Sequence, residues 1–123
     1  TMSNIDIQVI TQYIQEQSKP DAGRFVFSYT VTVSNLGETA AKLIGRHWII
    51  TDARDAVQEV QGVGVVGEQP RLEPNESYTY TSGVVLDTET GTMTGHYQMQ
   101  RDNGEQFNAK IPAFALVPPH AVH

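Results

Sequence analysis

Glycine recurs at positions 62, 64 and 67 in the stretch Gly-Val-Gly-Val-Val-Gly, followed by Glu68-Gln69-Pro70-Arg71. The G-x-G-x-x-G spacing is that of a dinucleotide-binding turn. There, glycines let the backbone approach a pyrophosphate, and a helix N-terminus holds its charge. That chemistry needs a strand before the glycines, a helix opening at them, and an acidic residue about 20 positions on. Segment Ala56–Gln61 can supply the strand. The helix is excluded, because Pro70 and Pro74 follow Gly67 closely, and proline removes a helical donor and clashes with the turn before it. Asp87 stands at about the required distance, but without a βαβ unit that spacing has no use. A weaker anion site survives as a nest of backbone N–H groups through Gly62, Gly64, Val65, Val66 and Gly67, leading into Pro70. Arg71 is the nearest cation for it, and Glu59, Glu68 and Glu73 oppose it. The bland alternative is favoured. Glycines permit a tight loop with positive φ between strands, and Val63, Val65 and Val66 pack beneath it.

Other reactive side chains form no readable constellation. His47 precedes Trp48 in a strand-like run, and His96 sits in another. If those strands pair, the imidazoles face one another and a metal becomes conceivable, but structural histidines are the ordinary outcome. His120 and His123 lie in a terminal stretch. Asp52 and Asp55 flank Ala53-Arg54, where carboxylates cap and solvate a turn more often than they do acid–base work or bind a cation. Ser82 lacks the G-x-S-x-G context of a nucleophile. Cysteine is absent, which excludes disulfides, thiolate metal sites and a thiol nucleophile. No catalytic residue and no metal ligand set is assigned.

Charge and length narrow the class. The formal net charge is −6, and the eight Lys and Arg residues are scattered with no two adjacent. A nucleic-acid binder needs a basic face, so nucleic acid is not an expected partner. The 123 residues suit one domain, 1–123, with frayed tails at 1–4 and 117–123. No apolar run is long enough to insert in a membrane, and the N-terminus lacks the pattern of a secretory leader. Met2 is the expected start and the cytoplasm the expected compartment.

The elements that must position these residues read as strands. In Phe25–Val33 the odd positions Phe25, Phe27, Tyr29, Val31 and Val33 share a face, while Ser28, Thr30 and Thr32 share the other. Comparable segments are Ile5–Ile14, Leu43–Thr51 (apolar on both faces, as a central strand is), Ala56–Gln61, Ser77–Gly83, Thr92–Gln100 and Phe107–Leu116. Pro112 marks an edge or a bulge. Asn35-Leu36-Gly37, the 51–55 and 102–105 stretches and a type II turn on Pro74-Asn75 separate them. About seven antiparallel strands predict an all-β sandwich of the immunoglobulin/fibronectin-III kind. Trp48, Ile50, Phe27, Tyr29, Val31, Tyr97 and Met99 are its expected core. Pairing of exposed edge strands between copies makes a homodimer an expectation, which Pro112 opposes on its own strand.

Longer motifs carry a family resemblance. Arg46-His-Trp-Ile-Ile-Thr-Asp-Ala53, the 62–72 glycine stretch, Pro74-Asn-Glu-Ser-Tyr-Thr-Tyr-Thr-Ser-Gly83, the run from Gly91 to Met99 and Ile111–Leu116 together resemble the ApaG (CorD) family over nearly the whole chain. Asn75 departs from an expected glycine, and both residues accept positive φ. The resemblance implies a fibronectin-III-like sandwich and a small cytosolic protein associated with cobalt resistance and magnesium efflux. Its glycine loop has been suggested as a pyrophosphate or nucleotide site. It further implies a non-enzymatic interaction module with a protein partner still to be identified, since related eukaryotic domains sit in an F-box protein and a DNA-polymerase-delta-interacting protein. Gly62, Gly64, Val65, Val66, Gly67, Pro70 and Arg71 are the positions it carries over.

Overall fold

The computed structural model describes residues 4–121. In chain order the strands are β1 (Ile5–Tyr13), β2 (Phe25–Asn35), β3 (Ala41–Asp52), β4 (Val57–Val63), β5 (Arg71–Leu72), β6 (Ser77–Leu86), β7 (Gly91–Arg101) and β8 (Gln106–Leu116). Single 3-10 turns occur at Gln15–Gln17, Pro20–Ala22 and Pro119–Ala121. One sheet has the order β1-β2-β6. The other runs β4-β3-β7-β8, with β5 beside the start of β3. Every pairing is antiparallel. The architecture is the β-sandwich that the alternation predicts. β5 is the strand the pattern missed, because two residues are too short to show a period.

The alternation of β2 becomes the core. Phe27, Tyr29, Val31 and Val33 are buried, and so are all seven residues expected to build the interior. Tyr29 and Trp48 meet edge to face across the two sheets at 5.3 Å between ring centroids, and Phe114 closes on Trp48 at 5.9 Å. Such tilted pairs add to the burial of aromatic surface. The hydroxyls of Tyr80 on β6 and Tyr97 on β7 hydrogen-bond to one another inside the sandwich, tying one sheet to the other. On the opposite face of β2, hydroxyls pair with those of β6: Thr30 with Thr81 at 2.8 Å, Thr32 with Thr79 at 3.0 Å and Ser34 with Ser77 at 2.7 Å. The polar half of the repeat thus satisfies itself across the strand pair.

Two irregularities shape the second sheet. β3 bulges between Leu43 and Gly45, where Ile44 is left without a partner on β7. β8 lies at the sheet edge, and its register against β7 shifts around Pro112. Pro112 therefore occupies both an edge and a bulge, the two places where a missing N–H is harmless. The turn Glu73–Glu76 closes with a 2.9 Å bond from the Glu76 N–H to the Glu73 carbonyl, and Asn75 has φ of 69° as type II geometry requires. Of the expected tails, residue 120 has contacts: His120 lies edge-on to Tyr13 and 3.1 Å from the Glu89 carboxylate. His123 lies outside the described residues.

Candidate functional site

The glycine stretch is the corner of a miniature hairpin. β4 ends at Val63, and Gly64, with φ of 64°, turns the chain away. Its N–H donates to the Ile44 carbonyl at 2.8 Å, and the Gln69 side-chain amide donates to the same oxygen at 2.9 Å. The bulge in β3 thereby supplies the anchor for the loop, a common use of bulges beside functional surfaces. Val65 and Glu68 then exchange two backbone bonds of 2.8 and 2.9 Å. Val66 and Gly67 span the corner with φ of 50° and 78°. Positive φ at both central residues is the type I′ arrangement, whose twist matches a β-hairpin. Pro70 leaves the loop, and its carbonyl accepts the Leu43 N–H at 2.9 Å.

Each glycine has a different reason. A Cβ on Gly64 would run into the Glu68 carbonyl. A Cβ on Gly62 would come within 2.6 Å of the Arg46 guanidinium carbon. Gly62 is thus a flat seat for Arg46, which pairs with it across β3 and β4. Gly67 meets no neighbour and serves the turn through its φ alone. Val66 has the same handedness without glycine's freedom. A β-branched residue in that region is a backbone outlier, at a cost of roughly 1–2 kcal/mol. The valines also divide. Val65 is fully buried, whereas Val63 is 75% and Val66 61% exposed. The expectation that all three pack beneath the loop holds only for Val65, because the hairpin turns the other two outward.

The loop's cation is Arg46. Its Nη1 donates to the Gly64 carbonyl at 2.8 Å and to the Val63 carbonyl at 3.2 Å. Arg71, the residue nearest in sequence, gives its guanidinium to Glu73 and Asp102, with Nε 3.0 Å from Asp102 Oδ1. That hydrogen bond holds the Asp102 carboxyl below its ordinary range and keeps Arg71 charged. Sequence distance is a poor guide here. Arg46 reaches the loop because β3 and β4 pair in register, and strand pairing is the signal that could have found it.

The N–H groups of Gly64, Val65 and Glu68 are used within the structure. Arg46 faces carbonyl oxygens. What the loop offers outward is Val63, Val66 and a groove of about 300 Å3 lined by Arg46, His47, Gln61, Gly62, Val63 and Gln98.

The remaining candidates are placed as follows. His47 and His96 are direct partners on β3 and β7, with ring centroids 5.2 Å apart, edge to face. His47 Nε2 lies 2.8 Å from Glu59 Oε1. Among the described residues no group of three or more His, Asp or Glu side chains is arranged to hold a metal ion. Asp52 caps its turn, accepting the N–H of Arg54 at 2.8 Å and of Ala56 at 3.0 Å. Ser82 lies on β6, where it lines a cavity between the sheets. No helix among the described residues is long and apolar enough to cross a membrane.

Comparison with known proteins agrees with this fold. Residues 15–101 match the model of the ApaG domain. A protein named ApaG from Thiobacillus denitrificans is 56% identical over 119 residues, covering 97% of this chain and 94% of the relative. Another, from Pseudomonas paraeruginosa, is 51% identical over 123 residues, covering 100% and 98%. A crystal structure of a Bordetella pertussis protein described as ApaA superposes with a TM-score of 0.92 at 47% identity, covering 94% of both chains. With the family model matched over most of its length and relatives at this identity, the chain belongs to the ApaG family.

Proposed function

We propose that residues 1–123 form one ApaG domain that works as a non-enzymatic interaction module in the cytoplasm. In this reading it supports cobalt resistance and magnesium efflux by engaging a protein partner. The observation that carries the reading is the exposed pair Val63 and Val66 on a hairpin held in a strained conformation. Backbone strain at an exposed site is a sign of function, because the fold tolerates its cost for some return. Exposed apolar side chains beside a groove suit a protein surface better than a solvated anion.

The test is complementation of a strain lacking the gene, scored for growth in Co2+, with parallel capture from lysate. The expected result is that Val63→Asp loses both resistance and a specific captured protein while remaining folded. Full resistance with Val63→Asp would overturn the reading.

The second reading is a pyrophosphate or nucleotide sensor at the same loop. Arg46 supports it, because it sets beside the loop a positive charge that no described carboxylate neutralises. Gly64→Val does not discriminate between the readings, since a side chain there breaks the hairpin whatever the loop binds. Calorimetric titration of the native chain and of Arg46→Gln with nucleoside triphosphate decides it.

A further inference from the structure

We propose that the cleft between the β3–β4 edge and β6 is a binding site for a small organic anion, a monocarboxylate with a compact apolar body. β4 and β6 are end strands of their sheets. On the opposite side of the sandwich β1 packs against β8. A cavity of roughly 160 Å3 lies between the sheets on the β4–β6 side, with Tyr29, Arg46, Trp48, Val60, Ser82 and Met93 in its lining.

Two residues of this lining carry donors without a full set of acceptors. Trp48 is 2% exposed, and its indole Nε1 has no hydrogen-bond partner. Buried indole N–H groups are ordinarily satisfied, so this one is an exception that calls for an acceptor. Arg46 forms no ion pair with any described carboxylate, and only its Nη1 donates to a described residue. A half-buried cation without a counter-ion favours an anion beside it. The Ser82 hydroxyl adds a third polar group.

The rest of the wall sets the ligand's body. Val60, Met93 and the Tyr29 ring are apolar, as are Ile50 and Val84 beside them. A space of this size holds about one aromatic ring, as a dry protein cavity of about 150 Å3 holds benzene. A polyphosphate does not suit such walls, which would leave its further charges unsolvated. The chemistry therefore selects one carboxylate head and a body near the size of benzoate or isobutyrate.

Trp48 is the sole tryptophan, so the full chain gives one indole N–H resonance in a nitrogen–proton NMR spectrum. Titration with benzoate is expected to move that resonance saturably, with a dissociation constant of about 1 mM or tighter for a ligand of about nine heavy atoms. Benzyl alcohol, which lacks the charge, should bind at least about tenfold more weakly, and Arg46→Gln should weaken benzoate by a similar factor. Val60→Phe, which fills the cleft from the edge strand, should abolish the shift with the remaining spectrum intact. If Arg46→Gln does not fold, Val60→Phe and benzyl alcohol decide alone. An indole resonance that benzoate leaves unmoved overturns the proposal. So does an equal response to benzyl alcohol or inorganic phosphate, or a native shift retained in Val60→Phe.

Discussion

Val66 concentrates the conflict between stability and use. Its φ of 50° suits Gly or Asn far better than a β-branched side chain. Replacing it with glycine relieves roughly 1–2 kcal/mol of strain and returns roughly 0.4–1 kcal/mol of unfolded-state entropy. Val66→Gly should therefore raise stability by a net of about 0.5–1 kcal/mol, read as a higher urea midpoint at unchanged slope. A lower midpoint would mean that Val66 packs more productively than its 61% exposure suggests. Joined to a loss of partner capture, the expected gain would mark Val66 as a residue kept for contact. The conformation was not legible beforehand. Val-Gly does not advertise a type I′ corner as Asn-Gly does, and the turn follows from the Val65–Glu68 pairing that encloses it.

At the scale of elements, β2 was legible because it carries the two-residue period over most of its length, β3 because it is apolar on both faces, and their turns because they contain Pro, Asn, Asp or Gly. Their assembly was less so. Asn35 reads as a residue that ends β2, and it does, but it is also fully buried. Its side-chain amide donates to the Thr39 carbonyl at 2.9 Å and the Leu72 carbonyl at 3.0 Å, and its Oδ1 accepts the Gly37 N–H at 3.0 Å. Its backbone adds a 2.9 Å bond to the Glu76 carbonyl. One side chain thereby latches the β2–β3 connection to the end of β5. Asn35→Ala takes this partner from the buried Leu72 carbonyl and Gly37 N–H, while the Thr39 carbonyl keeps the Arg101 guanidinium at 2.7 Å, and should cost about 2–4 kcal/mol, measurable by chemical denaturation. A cost under about 0.5 kcal/mol would show that solvent replaces those bonds, as at an ordinary surface turn. No local pattern announces the latch, because its partners are 37 residues apart at Leu72. The facing of His47 and His96 was foreseen only conditionally, for the same reason: register belongs to pairs of strands.

For the whole molecule, the tie between the two sheets is acid–base as well as steric. Burial raises the pKa of both Tyr80 and Tyr97 above the usual value of 10.0, and their shared hydrogen bond adds to the rise at Tyr97. An acid whose folded pKa is raised contributes stability that is complete below its unfolded pKa and lost as pH rises beyond it. Stability should thus hold up to about pH 10 and fall steeply above, with these two phenolates appearing together with unfolding. Tyr97→Phe should flatten that alkaline limb, in denaturation curves followed by phenolate absorbance. Ionisation of all five tyrosines before any loss of structure would contradict it. The hydroxyl pairs between β2 and β6 carry a consequence of another kind. Thr30 and Thr81 are 51 residues apart, so this strand pair closes only after a long stretch of chain has been gathered. Local hairpins such as β3–β4 and β7–β8 form within microseconds, whereas sandwiches dominated by distant pairings take milliseconds to seconds. Throughout that delay β6, which has no charged residue from Ser77 to Leu86, waits as a bare strand. The folding chain is most open to mispairing with another copy in that interval, before β2 and β6 pair.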